Sequence, residues 1–327
     1  MPDTPMSSAP PNQPNQPNQI DQIDQRETVL VTGGTGNTGR RVAARLAELG
    51  HPVRAASRRP APADDVDHAR VEHGRVEPGR VEPGRVEPVR FDWDDASTHV
   101  PALRGARGIY LVPPNGASDP AASMLPFLRQ ARLAGVRRVV LLSSSAIAES
   151  NGGLGVVHRA TPELFPEWAV LQPSWFMQNF TGEHAHALSI RADDEIVTAT
   201  GEGRVGFVDS QDIAEVGVRA LTDEQPHNTA HLITGPEAIG YDAIAAIVSE
   251  TAGRPIRHRR VSYEVQRDRF AAVGIPGRFA ELLAGMDRAI ATGTEDRTSP
   301  TVERVTGRAP RSFPVYAAEH AAAWQRP

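Results

Sequence analysis

The chain contains no cysteine and no lysine. Without cysteine it has no disulfide, no thiol nucleophile and no thiolate metal ligand. All 35 basic residues are arginine, which excludes a Schiff-base lysine, the lysine of a Walker phosphate-binding loop and a catalytic Tyr-x-x-x-Lys pair. Several common classes of catalytic site are therefore excluded at the outset.

Long apolar runs and a strong net charge are also absent. No segment approaches the apolar length needed to span a membrane, and the N-terminus lacks the basic start and apolar core of a signal peptide. The net charge of −5 gives no overall field that would attract nucleic acid or anionic lipid. Residues 1–25, rich in proline, asparagine and glutamine, are predicted to be a disordered tail on a cytoplasmic protein. With 327 residues and 39% apolar content, the chain can bury a substantial core.

A strand, a glycine turn and a helix follow one another near the start of the chain. Residues 28–32 are β-branched and apolar, which predicts a buried strand, and Gly33, Gly36 and Gly39 follow at once. Beyond them Val42 and Leu46 recur at helical spacing. Glycines at such a turn let a diphosphate reach the free N–H groups of the helix N-terminus. The spacing G-x-x-G-x-x-G differs from that of classical dehydrogenases, and the alternative is an ordinary strand-to-helix turn. The flanking strand and helix favour dinucleotide binding.

Strands and helices alternate along the next part of the chain. Further strands are predicted at residues 53–57, 89–92, 108–112, 137–142 and 168–171, with helices between them. This alternation predicts an α/β fold with a Rossmann-type, doubly wound parallel sheet. We assign residues 26–174 to this dinucleotide-binding domain and residues 175–327 to a smaller, mostly helical C-terminal lobe that binds the substrate. Parts of residues 205–234, which include predicted strands at 205–208 and 230–234, are expected to return to the sheet.

A five-residue repeat, Arg-Val-Glu-Pro-Gly with variations, runs from Arg70 to Arg90. Its period fits neither a helix nor a strand, and each unit carries one charge of each sign. We therefore predict a solvated surface insertion over residues 60–90.

Arginine follows the second predicted strand, where a dehydrogenase selective for NAD would place a carboxylate. The guanidinium of Arg58 favours a 2′-phosphate, which predicts NADP(H) as the cofactor. The alternative is a solvated arginine pair with Arg59. Asp92, just past the third strand, is a weaker candidate to accept a hydrogen bond from the adenine amino group.

Two groups of polar residues could act on a substrate. Ser143, Ser144 and Ser145 follow the predicted fifth strand, where the nicotinamide would lie, although serines are also ordinary turn residues. His158 opens a predicted helix and could donate a proton, or it could make only local hydrogen bonds. Residues 183–186, Glu-His-Ala-His, do not have the spacing of metal ligands on one helix face, so no metal is predicted.

The chain resembles the NmrA-like group of atypical short-chain dehydrogenases/reductases over about residues 26–325. The resemblance rests on residues 31–40 (VTGGTGNTGR), 89–93 (VRFDW), 135–143 (GVRRVVLLS) and 173–180 (PSWFMQNF). Similar proteins include reductases of quinones and triphenylmethane dyes, festuclavine-type dehydrogenases, and a regulator that binds the nucleotide without turnover. The resemblance implies that the cofactor is held by Gly33, Thr35, Gly36, Asn37, Thr38, Gly39 and Arg58, with Ser143, Pro173 and Ser174 near the nicotinamide. It implies a substrate pocket lined by Trp175, Phe176, Met177, Asn179 and Phe180, for which core packing is the alternative.

Without a Tyr-Lys pair, reduction is easiest for an acceptor that needs no strong protein acid. The sequence therefore predicts an NADPH-dependent reductase of a small cyclic iminium, quinone or conjugated carbonyl in secondary metabolism. Ser144 and His158 are the candidates if a protein acid takes part. Two alternatives remain at this stage, a nucleotide-sensing regulatory protein without turnover and a non-redox cyclase or isomerase on the same fold.

Overall fold

The computed structural model describes residues 27–60, 83–117, 119–147 and 152–325. The strands in this part of the chain are β1 (Thr28–Thr32), β2 (Val53–Ser57), β3 (Val86–Arg90), β4 (Ala106–Leu111), β5 (Arg138–Leu142), β6 (Glu167–Pro173), β7 (Glu195–Thr198), β8 (Arg204–Val205), β9 (Thr229–Ile233), β10 (Ile239–Gly240) and β11 (Arg257–Arg260). The α-helices are α1 (Gly39–Glu48), α2 (His99–Ala102), α3 (Pro120–Leu133), α4 (Gly153–Leu164), α5 (Ala185–Asp193), α6 (Ser210–Thr222), α7 (Tyr241–Ala252), α8 (Tyr263–Ala272), α9 (Gly277–Ala291), α10 (Thr301–Thr306) and α11 (Phe313–Glu319).

Seven strands form one parallel sheet in the order β3-β2-β1-β4-β5-β6-β9. The order reverses between β1 and β4, and such a reversal opens a crevice at the carboxyl ends of the strands. The doubly wound parallel sheet predicted from the sequence is therefore confirmed.

Both faces of the sheet are covered by helices, because consecutive residues of its central strands are apolar and point to opposite faces. Leu30 and Ile109 belong to a buried cluster with α3 and α4, whereas Val31 and Tyr110 belong to a second cluster with α1 and α6. Each helix offers an apolar stripe to the sheet, as Val42 and Leu46 do on α1. Because helices pack on both faces, the sheet is held firmly, and so is its carboxyl edge, from which the loops after the strands emerge.

The last copy of the five-residue repeat is part of the sheet, which corrects the expectation of a solvated insertion reaching residue 90. Residues 86–90 form β3 and pair with β2 in parallel register, with Pro88 opposite Ala55 and Val89 opposite Ala56. A proline is tolerated here because β3 is an edge strand, and Val89 is buried. Residues 61–82, with the earlier copies, lie outside the described residues.

Residues beyond 174 contribute to the sheet as well as to the C-terminal lobe. Strand β9 pairs with β6, from Ala169 opposite Thr229 to Pro173 opposite Ile233, and α6 packs on the same sheet. The strand expected at 205–208 is shorter: β8 ends at Val205, and Gly206 passes so close to Arg297 that a β-carbon there would lie 2.7 Å from its carbonyl oxygen. Strand β8 pairs with β10 rather than with the parallel sheet, and Val208 forms a single bridge with Phe176.

The C-terminal lobe has its own aromatic core. Phe180 lies edge-on to Phe207 and Phe313, and Phe207 lies edge-on to Tyr241. The indole N–H of Trp324 donates to the carbonyl of Phe180 at 2.6 Å. Two short sheets, β7 with β11 and β8 with β10, complete the lobe. Among the described residues, no helix combines the length and apolar character needed to cross a membrane.

Candidate functional site

The glycine loop between β1 and α1 requires the absence of side chains at two positions. Gly33 has a φ of +62°, which glycine adopts without strain. A β-carbon at Gly39 would lie 2.2 Å from the carbonyl oxygen of Gly33, so only glycine lets the helix begin this close to the strand. The N–H of Gly34 donates to the carbonyl of Ala56 at 2.9 Å, which ties the loop to β2. The loop is therefore tightly held beneath the start of α1.

The outer side of this loop presents backbone donors. Thr35, Gly36 and Asn37 are exposed, and within the described chain the N–H groups of Thr35 and Asn37 have no hydrogen-bond partner. No acidic side chain lies in the first turn of α1, so the positive end of the helix dipole is not neutralised. Thr38 and Gly39 are buried beneath these residues. The arrangement can hold an anion such as a diphosphate.

Arg58 and Asp92 lie at the same edge, past the ends of the paired strands β2 and β3. Arg58 and Arg59 are exposed, and neither forms an ion pair with any described residue. Asp92 accepts the N–H of Asp94 through one carboxylate oxygen at 3.2 Å. The guanidinium groups are therefore available to a phosphate next to the glycine loop.

Four of the predicted residues meet where β5 and β6 end. Ser143 donates its N–H to Leu171 at 2.7 Å, and Ser174 donates its N–H to Ile233 at 2.9 Å. The hydroxyl groups of both serines are buried and have no hydrogen-bond partner among the described residues. Pro173 ends β6 between them, and Ser144 accepts the N–H of Ala146 through its hydroxyl at 3.2 Å. Two buried, unpaired hydroxyls at this edge fit a group that brings its own donors and acceptors.

A cleft of about 730 Å³ opens beside these residues. Its walls come from the loop after β5, from Trp175 after β6, from α9 and from the segment after α9. They are Ser145, Ala146, Trp175, Glu281, Leu282, Gly285, Met286, Ala289, Thr294, Glu295 and Arg297. This volume accommodates a small organic molecule.

Of the five residues expected to line a substrate pocket, only Trp175 contributes to this cleft. Met177 and Phe180 are fully buried in the aromatic core of the lobe, because the turn after β6 points them inward. Phe176 pairs with Val208 and packs on the cluster of α1 and α6, and Asn179 is half-buried in the same turn. None of these four residues lines the cleft.

His158 also lies away from the cleft. Helix α4 begins at Gly153, so His158 is in its middle rather than at its start, and it is buried. It does not line the cleft. Of the two candidate acids, Ser144 alone lies in the loop next to the cleft.

A polar network in the cleft wall joins Ser145, from the predicted run of serines, to Glu295 and Arg297, which no sequence motif singled out. The hydroxyl of Ser145 donates to Glu295 Oε2 at 2.8 Å, and Arg297 donates to the carbonyl of Ser145 at 3.1 Å. The second Arg297 contact, to Glu295 Oε1, is longer at 3.4 Å. Glu295 is only 3% exposed. Its partner Ser145 is 150 residues away in the chain, so no local pattern could reveal the pair.

Other clusters of titratable groups lie elsewhere. His227 links Asp223 and His231 by contacts of 3.0 and 2.9 Å, and burial lowers the pKa of His231 to about 4. Burial raises the pKa of Asp287, on α9, to about 6. Within the described ranges no group of three or more histidine or acidic side chains could hold a metal ion, and this includes His184 and His186.

Comparison with known proteins agrees with this geometry. A family model described as NAD(P)H-binding matches residues 33–224. The chain is 44% identical over 296 residues to the uncharacterized oxidoreductase YesF of Bacillus subtilis, which covers 90% of this chain and 96% of that protein. It is 31% identical over 304 residues to the agroclavine dehydrogenase of Claviceps fusiformis, covering 90% and 98%.

The fold is also that of a solved reductase structure. The triphenylmethane reductase of Citrobacter sp., complexed with NADP(H), superposes with a TM-score of 0.70 at 22% identity, covering 90% of this chain and 99% of that one. The resemblance stated from the sequence motifs is thereby confirmed. The chain belongs to the NAD(P)H-binding, NmrA-like family of short-chain dehydrogenases/reductases and is an NAD(P)-dependent oxidoreductase.

Proposed function

We propose that the protein is an NADPH-dependent reductase that transfers hydride to a small cyclic iminium, quinone or conjugated carbonyl acceptor. The observation that carries the proposal is the position of the cleft of about 730 Å³ at the carboxyl ends of β5 and β6, next to the unpaired hydroxyls of Ser143 and Ser174. Open α/β sheets bind their ligands at this edge. A cytoplasmic location and a role in secondary metabolism belong to the same proposal.

The residues present fit a dinucleotide. The free N–H groups of Thr35 and Asn37 would hold the diphosphate. Because Gly39 has no side chain, the N-terminus of α1 can lie close to the loop that would bind this diphosphate. Arg58 supports NADPH over NADH, because its guanidinium can pair with the 2′-phosphate of NADPH. The ribose 2′-hydroxyl of NADH would instead favour a carboxylate at this position. Bound in this way, NADPH supplies the hydride.

The residues of the cleft orient the acceptor and limit its contact with water. Trp175 offers a flat apolar surface to the cleft, and Leu282 and Met286 of α9 add further apolar lining. The chain has no lysine, so a Tyr-Lys pair cannot protonate an alkoxide. Orientation therefore contributes most of the rate, and acceptors that spread or already carry charge are favoured. The relative named agroclavine dehydrogenase supports a small organic acceptor.

The test is oxidation of NADPH by the purified protein with a cyclic iminium salt, a naphthoquinone and a conjugated aldehyde, each followed by product analysis. Reduction of at least one acceptor, faster with NADPH than with NADH, is the expected result. Tight NADPH binding without reduction of any acceptor would instead favour a nucleotide sensor. Formation of an isomerised or cyclised product without nucleotide would favour the non-redox alternative.

A further inference from the structure

Glu295 lies in the wall of the cleft, where the described lining also includes the charged residues Glu281 and Arg297. Glu295 is 3% exposed, whereas Glu281, the other carboxylate among the described residues of the lining, is exposed on α9. Apolar and small residues from α9, such as Met286 and Ala289, occupy much of the remaining surface. Within the described part of the lining, Glu295 is therefore the buried acidic residue.

The partners that Glu295 has within the protein compensate its charge only in part. Ser145 gives it one neutral hydrogen bond at 2.8 Å. Arg297 is 3.4 Å from the other carboxylate oxygen, and its side chain is 44% exposed, so water screens much of its charge. A buried carboxylate is costly unless a well-placed cation or several donors meet it. The free protein therefore keeps an incompletely neutralised negative charge at the cleft.

We propose that Glu295 is the counter-ion for a cationic acceptor and that it selects iminium ions over neutral quinones and carbonyls. The proposal rests on the proposed reductase function and names one substrate class within it. A cation in the cleft would lie in a partly desolvated environment, where its attraction to the carboxylate is stronger than in water.

The reaction of such an acceptor balances without a protein acid. The C4–H bond of the dihydronicotinamide breaks, and the hydride, with its electron pair, forms a C–H bond at the iminium carbon. The electron pair of the C=N π bond moves to nitrogen. NADPH is oxidised to NADP⁺ and the iminium is reduced to a neutral amine, so no proton is taken up. The reaction therefore does not require a Tyr-Lys pair, because no alkoxide is formed that would have to be protonated.

Charge recognition of this kind has a definite kinetic signature. The positive charge is lost as hydride arrives, so Glu295 stabilises the bound substrate more than the transition state. Glu295→Gln is expected to raise KM for an iminium salt about ten- to hundredfold and to leave kcat unchanged or slightly raised. For a neutral naphthoquinone, KM is expected to change less than threefold.

The decisive experiment is independent of turnover. Calorimetry on the NADPH-loaded protein would use N,N-dimethyl-1,2,3,4-tetrahydroisoquinolinium, a cation without a C=N bond, and neutral 1-tetralone as the comparison. Glu295→Gln should weaken binding of the cation about tenfold or more and leave that of tetralone within threefold. Asp296→Asn is the matched control, because it removes an equal negative charge at the position next to Glu295. The side chain of Asp296 is 49% exposed and does not line the cleft.

A second variant gives an effect of opposite sign. Arg297→Met removes the cation that competes for Glu295, so binding of the isoquinolinium cation should become several-fold tighter. A purely structural role for the pair would weaken binding in both variants. If Glu295→Gln does not fold, this variant decides the question.

The two proposals fail in different ways. Equal weakening of cation and tetralone by Glu295→Gln, or no tightening in Arg297→Met, would overturn the role of Glu295 even if NADPH-dependent turnover is found. Cation binding that depends on Glu295, together with no reduction of any acceptor, would uphold this site and overturn the reductase function.

Discussion

The backbone of Gly39 passes the carbonyl of Gly33 so closely that a β-carbon at position 39 would lie 2.2 Å from its oxygen. Gly39→Ala must therefore push α1 away from β1. We expect NADPH binding to weaken at least tenfold, because the N–H groups of the displaced loop no longer point towards the diphosphate. Stability should also fall, because the packing of α1 on β1 is disturbed. Calorimetry with NADPH and thermal unfolding would measure both effects. Gly285→Ala is the control, since a β-carbon there meets no atom within 4 Å; an equal loss in the two variants would argue against the close approach as the cause.

Arg58 is expected to determine the choice between the two nicotinamide cofactors. A charge-assisted contact to the 2′-phosphate contributes about 1.5–3 kcal/mol, so Arg58→Glu should reduce the preference for NADPH over NADH about ten- to hundredfold. The measurement is kcat/KM, or Kd by calorimetry, with each cofactor. Arg132→Glu, an equally exposed substitution on α3, should leave the ratio unchanged. An unaltered ratio in Arg58→Glu would exclude this cofactor assignment.

Asp287 gives stability a dependence on pH. Burial raises its pKa to about 6, mainly by desolvation, while hydrogen bonds from Ala199 and Gln266 oppose the rise. Between pH 4 and 6 the carboxyl group of Asp287 is therefore protonated in the folded state but ionised in the unfolded state, where its pKa is the ordinary 3.8. This group thus favours folding at low pH. Its contribution is lost as pH rises from about 4 to 6, on the order of 3 kcal/mol in all.

Asp287→Asn should remove that contribution. Its stability relative to the natural protein is expected to increase between pH 4 and 6 and then level off, because the amide oxygen still accepts the N–H of Ala199. Denaturant unfolding across this range gives the difference curve. Asp193→Asn, at an exposed position on α5, should give a flat one. A flat curve for Asp287→Asn would contradict the raised pKa.

Trp175 and Phe180 are expected to separate binding from stability. Phe180 is fully buried among aromatic rings, so Phe180→Ala should cost about 3–5 kcal/mol of stability. Trp175 is half-buried and lines the cleft, so Trp175→Ala should mainly raise KM for the acceptor, with a much smaller loss of stability. Denaturant unfolding and steady-state kinetics on both variants would test this. The reverse pattern would place Phe180, rather than Trp175, at the substrate.

The sequence predicted those features whose cause is local. The β-branched run before three glycines and the helical spacing of Val42 and Leu46 correctly predicted β1, its turn and α1. Ser143 follows β5 and Pro173 ends β6, and parallel strands bring their carboxyl ends to one edge, so the proximity of these two residues was also predictable.

The cleft depended on contacts that no local pattern encodes. Glu295 meets Ser145 across 150 residues, and its sequence neighbourhood of threonine, glycine and charged residues is that of an ordinary loop. Phe180 and Trp175 share one aromatic motif, yet the turn sends one inward and leaves the other at the surface of the cleft. Hydrophobicity alone does not distinguish them, because both side chains bury apolar area.

Strand β3 has a consequence for how this chain can vary. Its residues Val86-Glu87-Pro88 occur with the same spacing in the two preceding pentads, and a slip by one unit would replace only Val89, by Gly84, and keep Arg at the last position. The register of β3 against β2 therefore depends largely on the side chain of Val89, which is buried. Adding or deleting a whole pentad upstream leaves the five residues of β3 themselves unchanged. The edge strand is thus specified by its own residues and not by the number of pentads that precede it.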